Sequence, residues 1–145
     1  MTTAGAGDRF AALKVGDELP QREFECGNVQ LMLYNAALWN GHRIHFDETY
    51  AREVEGYPGL VVAGPLLGDW LHQCVEEWLG DDGRILSIAY SNRVATYVGD
   101  RLVSGGSVTE LRPDRREAVI EVYIRNAEGA VAAPGTVVAR FGDSW

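Results

Sequence analysis

No run in this chain approaches the ~20 apolar residues that a membrane-spanning helix needs. The first twenty residues, MTTAGAGDRFAALKVGDELP, hold no basic segment followed by an apolar one. A cytoplasmic protein without a membrane partner is therefore expected. Cysteine is scarce: Cys26 and Cys74 stand in segments of different type, without metal-ligand spacing, so two reduced and mostly buried thiols are expected rather than a disulfide. Positive charge is also in deficit. The net charge is -8 and the arginines are scattered, which argues against a nucleic-acid or anionic-membrane partner. A polyphosphate ligand stays open only if a few arginines converge. Internal repeats and low-complexity tracts are absent.

What is present suits one globular domain, residues 1–145. At 145 residues, with 46% hydrophobic and 23% charged residues, the chain can bury a core without metals or disulfides. Met1 to Gly7 is small and polar, and is expected to fray. Val15 to Cys26 is turn-rich and then alternates through REFECG, as one strand would. Asn28 is a candidate cap for a helix carrying Leu31, Leu33, Tyr34, Ala37 and Leu38 at helical spacing. Asp47 is a candidate cap for a short second helix, ETYAREV, with Glu48 at its positive end.

Glycine and proline make EGYPGLVVAGP a loop, and Pro65 suits the first turn of the helix that follows. From Leu66 to Leu79 the apolar residues recur in pairs every four positions, opposite Asp69, Gln73, Glu76 and Glu77. Trp70 and Trp78 lie on that stripe as core residues, and His72 is expected at the surface. Strand-like runs follow at about Ile85–Val98, Leu102–Leu111, Ala118–Arg125 and Ala130–Phe141, with separators short enough to imply antiparallel neighbours. In the third, Ala118, Ile120, Val122 and Ile124 share one face. Pro134-Gly135 should mark an edge or a bulge. The sum is α+β: one long helix against a curved antiparallel sheet.

Between the first two helices lies NAALWNGHRIHFDETYA, with two of the chain's three histidines three residues apart. His42, His45 and Asp47 form only a weak metal pattern, and no metal is expected.

The stretch NGHRIHFDETYAREVEGYPGLVVAGPL, the buried helix, then YVGDRLVSGGSVTELR and EVYIRN at Glu121–Asn126 resemble the MaoC-like enoyl-thioester hydratases. The closer likeness is to the branch of mesaconyl-CoA hydratases and type 2 hydroxyacyl-thioester dehydratases. It runs from about Val15 to Phe141. The resemblance implies a hot dog fold, with the sheet wrapped around the long helix, and a dimer of this chain or a heterodimer with another hot dog chain. MaoC-like hydratases carry a D-x-N-P-x-H loop whose Asp and His are acid–base residues. Here Asn40 stands at the Asp position, His42 at the Asn, Arg43 at the Pro and His45 at the His. Ala63 stands where relatives often have a polar residue, commonly His, before the Gly-Pro-Leu that opens the helix.

Adding water to a 2-enoyl thioester takes a base for the water, an acid for the α-carbon and a stabiliser for the thioester oxygen. His45 is the expected base and acid. Asn40 would orient water or hold the ring, with His42 as an alternative sharer of the proton. The N–H of Gly64, at the positive end of the helix, is the expected oxyanion donor. Tyr57, Pro58, Leu60 and Ala63 would line the acyl pocket, and Arg43 is counted with the substrate contacts. Arg93, Arg101 and Arg112 would meet coenzyme A phosphates, or are solvated strand ends. The expected activity is hydration or dehydration of an acyl-CoA or acyl-carrier thioester, without a cofactor. The alternatives are a hot dog thioesterase, for which Asp69 is the candidate carboxylate, and a non-catalytic acyl-binding subunit.

Overall fold

The computed structural model describes residues 8–142, so the expected frayed start at 1–7 lies outside the described residues. In chain order the elements are α1 (Arg9–Ala12), β1 (Arg22–Glu25), α2 (Asn28–Ala37), α3 (Glu48–Glu53), α4 (Gly64–Leu79), β2 (Gly83–Tyr90), β3 (Arg101–Arg112), β4 (Glu117–Arg125) and β5 (Val131–Phe141). The strands form one antiparallel sheet in the order β1-β3-β4-β5-β2. Its inner face wraps α4, which is the hot dog arrangement.

Alternation in β4 explains the wrap. Ala118, Ile120, Val122 and Ile124 are buried, while Glu121 and Arg125 are exposed on the other face. On α4 the expected stripe, including Leu66, Leu67, Trp70, Leu71, Cys74 and Val75, is buried against the sheet, and Asp69, Gln73, Glu76 and Glu77 face out. Trp70 packs on Phe24 with ring centroids 4.1 Å apart, and Trp78 meets Phe141 edge-on at 5.7 Å. His72 is half-exposed beside Glu76, and both thiols are free and buried. Burial pushes the Cys26 thiol up to about 11, leaving it protonated and inert at neutral pH.

Four expectations need correction. The α2 helix starts one residue early, since the Gly27 carbonyl accepts the first helical bond, from Leu31 N–H at 3.0 Å. Asn28 is thus a first-turn residue, not the cap. The inward face of α2 is Leu31 and Asn35, one turn apart, whereas Leu33 and Leu38 are exposed. The run Ile85–Val98 is a strand only to Tyr90. There the amides of Arg93 and Val94 both donate to one carbonyl, that of Ala132, and Thr96–Val98 turn to pair with Leu60–Val62 instead. Pro134 sits in an interior strand, in register with Tyr123, and the register of the β4–β5 ladder shifts two residues away, at Ala132. The Pro134 carbonyl accepts from Ser91 N–H, so the proline's missing donor faces the place where β2 has already left the ladder.

Leu71 is fully buried between α4 and the sheet. Leu71→Ala should lower the unfolding free energy in urea by about 2–5 kcal/mol, with the slope of the transition unchanged.

Candidate active site

Three local devices build the histidine loop. First, α2 ends in a left-handed residue, Trp39, at φ 56°. Trp39 N–H donates to the Ala36 carbonyl at 3.1 Å and Asn40 N–H to the Asn35 carbonyl at 2.8 Å, closing the helix with paired reverse bonds. Glycine is the usual residue at such a position; here the indole is 95% exposed. Second, Asn40 Oδ1 accepts from His42 N–H at 3.1 Å, and one 3₁₀ turn, Arg43–His45, carries the chain inward. Third, Asp47 caps α3 as expected, accepting from Tyr50 N–H at 3.0 Å. That bond and the Arg43 guanidinium hold its carboxyl below the ordinary range.

His45 ends up 9% exposed. Its Nδ1 lies 2.7 Å from the Val61 carbonyl oxygen. A carbonyl only accepts, so Nδ1 carries the proton and Nε2 of the neutral ring keeps its lone pair. Burial holds the ring below its ordinary value of 6.5; the bond to Val61 opposes that shift, and nearby His42 adds to it. His42 is exposed, its ring centroid 5.8 Å from that of His45. The loop is tied to the same residue a second time, because Val61 N–H donates to the Ile44 carbonyl at 3.0 Å.

Val61 stands three residues before α4. Ala63 is the buried cap residue, its carbonyl accepting from Leu66 N–H, and Pro65 occupies the first turn as expected. Among the described residues nothing accepts from Gly64 N–H. A methyl group on Gly64 would overlap the Asn92 side-chain amide, so only glycine leaves the amide where it is. Asn92 was not singled out in the sequence, and neither was Tyr90, whose ring covers Gly68 one turn further on.

The remaining candidates spread out. Pro58 and Leu60 line a cavity of about 340 Å³ with Asn28, Arg52, Tyr97 and Asp100, whose walls include neither His45 nor Gly64. Tyr57 is half-buried, its ring 6.2 Å from that of Tyr97. Arg43 pairs with Asp47 at 2.7 Å and lies over the Tyr50 ring. Arg93 is exposed and donates to Ser91 Oγ. Arg101 is paired with Glu23, and Arg112 with Glu110 and Glu117, so the three arginines do not converge on one anion. Asp69 accepts from the Tyr34 hydroxyl at 2.7 Å on the outer side of α4. Among the described residues no three His, Cys, Asp or Glu side chains gather as a cation site.

A central helix in a curled sheet, entered beside a buried histidine, is the architecture of the hot dog proteins of MaoC-like type. The (R)-hydratase from A. caviae superimposes with a TM-score of 0.83 at 23% identity, over 90% of this chain and 98% of that one. The ChsH1-ChsH2 complex from Mycobacterium tuberculosis superimposes with 0.79 at 21%, over 89% and 98%. The family described as hydroxyacyl-thioester dehydratase type 2 matches residues 10–98, and the chain belongs to it. Among curated relatives, mesaconyl-C(4)-CoA hydratase of Chloroflexus aurantiacus is 57% identical over 37 residues, 26% of this chain and 13% of that protein. The mitochondrial hydroxyacyl-thioester dehydratase type 2 of Saccharomyces cerevisiae is 30% identical over 80 residues, 54% of this chain and 29% of that protein. The chain spans about half the length of these curated relatives.

Because the folded ring binds its proton more weakly than the unfolded one, His45 favours folding at neutral pH. This contribution is lost as pH falls below 6.5 towards the lowered folded value. Chemical unfolding between pH 7.5 and 5 should show that loss in the parent, and His45→Gln should flatten the slope.

Proposed function

We propose that the chain adds water to an enoyl thioester, or removes it from a 3-hydroxyacyl thioester, with the acyl group carried on coenzyme A or an acyl carrier protein. The observation that carries this reading is the His45–Val61 bond, which leaves Nε2 as a free base and ties the ring to a residue three positions before an open helix start. Water oxygen bonds to the β-carbon as Nε2 takes its proton. The π electrons move to the α-carbon and the thioester oxygen, whose charge Gly64 N–H receives at the positive end of α4. Nε2–H then returns the proton to the α-carbon, restoring the neutral ring. The balance needs no redox or metal cofactor.

Partner and compartment belong to the same proposal. Relatives twice as long, and a fold neighbour that is a complex of two chains, support a second hot dog unit, either another copy or a different chain. Two free buried thiols suit a reducing, cytoplasmic setting, and no described helix is long and apolar enough to cross a membrane. A thioesterase is disfavoured because its candidate carboxylate, Asp69, is held outward by Tyr34.

The test is crotonyl-CoA hydration by the protein with any hot dog chain that copurifies. Loss of enoyl absorbance without free thiol is expected; thiol release without selective loss of the double bond would reject hydration. His45→Ala should lower kcat by about 10²–10⁴, and an unchanged rate would remove His45 as the base. The acid limb of kcat/KM should have its midpoint below 6.5, since burial lowers the His45 value. Gly64→Ala, which must push Asn92 aside, should cost about 10²-fold.

A further inference from the structure

Asn35 is a polar side chain buried at 3% exposure on α2, one turn before the histidine loop. Its Nδ2 donates to the Leu31 carbonyl at 2.8 Å, and its Oδ1 accepts from Asn40 Nδ2 at 2.9 Å. Asn40 Oδ1 in turn accepts from His42 N–H at 3.1 Å. Backbone groups of fixed polarity close both ends of this relay. Leu31 offers only an acceptor, so the Asn35 amide must present NH2 there and oxygen to Asn40. His42 offers only a donor, so the Asn40 amide must present oxygen there and NH2 to Asn35. Neither amide can turn over without setting like groups against each other.

We propose that Asn35 is a positioning residue for the histidine loop: it locks the Asn40 amide in one orientation and thereby demands an amide, not a carboxylate, at position 40. An Asp at 40 would set its oxygen against Asn35 Oδ1. Turning Asn35 over to accommodate it would move the clash to the Leu31 carbonyl. Asn40 is accordingly spent on the loop, joining α2 to the turn that carries His45, and the proton transfers fall to His45. This rests on the reading of His45 as the base.

The test pairs an activity-independent measurement with kinetics. In the parent, NMR hydrogen exchange should find the Asn40 side-chain NH2 protected, and Asn35→Leu should reduce that protection at least tenfold while β4 and β5 amides stay as they were. With crotonyl-CoA, Asn35→Leu should lower kcat by about 10²-fold with KM within about twofold, a split that general loosening of the acyl pocket would not give. Asn40→Asp should lose kcat similarly and add no ionisation to the kcat pH profile. If Asn35→Leu fails to fold, parent exchange and Asn40→Asp decide. Unprotected Asn40 NH2 in the parent, or an Asn40→Asp enzyme as fast as the parent with a new acid limb, would overturn the proposal. A protected Asn40 in a parent without hydratase activity would uphold the relay and refute the function instead.

Discussion

The hydrogen bond from His45 Nδ1 to the Val61 carbonyl oxygen is the constraint on which the site depends. It sets the tautomer, fixes the ring plane and joins the histidine loop to the residue that leads into α4. Val61 returns the contact through its own N–H to Ile44. A third tie holds the same lead-in from outside, where Val62 N–H donates to the Thr96 carbonyl and Val98 N–H to that of Leu60. His45 and the helix start therefore move as one piece. Independent loops would have to be ordered anew each time a substrate bound.

That arrangement explains why the central helix tolerates two glycines. A helical glycine costs roughly 0.5–1 kcal/mol relative to alanine. Gly64 and Gly68 lie one turn apart and receive the side chains of Asn92 and Tyr90 from the end of β2 and the segment after it. The departure of β2 from the ladder at Tyr90 serves the same end, because it lets Thr96–Val98 cross to the lead-in. The sheet gives up pairing at one corner and the helix start gains a rigid seat.

Much of this was legible in the residues. Alternation in β4 and the paired apolar positions of α4 predict the wrap because both follow one buried face, and a single face produces a clean period. The cap at Asp47 and the first-turn proline at Pro65 are equally local. The loop histidine could be singled out only through family resemblance, since a His in a polar loop has no local mark of its role. What periodicity could not show were contacts made across the chain. Asn35 reads as a polar interruption in α2, yet it faces inward because Leu31 and Asn40 satisfy it. Asn92 lies inside a run that reads as strand, and its place over Gly64 depends on where β2 ends. The run Ile85–Val98 reads as one strand because Val94, Thr96 and Val98 suit a strand, although Thr96 and Val98 pair with the lead-in rather than the sheet.

The central claim is that His45 is held as a neutral ring protonated on Nδ1, with Nε2 free to take a proton from water. Nitrogen-15 NMR of histidine-labelled protein at pH 7.5, with His45→Gln to assign the ring, tests it directly. A pyrrole-type shift at Nδ1 and a pyridine-type shift at Nε2 are the predicted result. The reverse pattern, or a ring protonated on both nitrogens at that pH, would contradict the account.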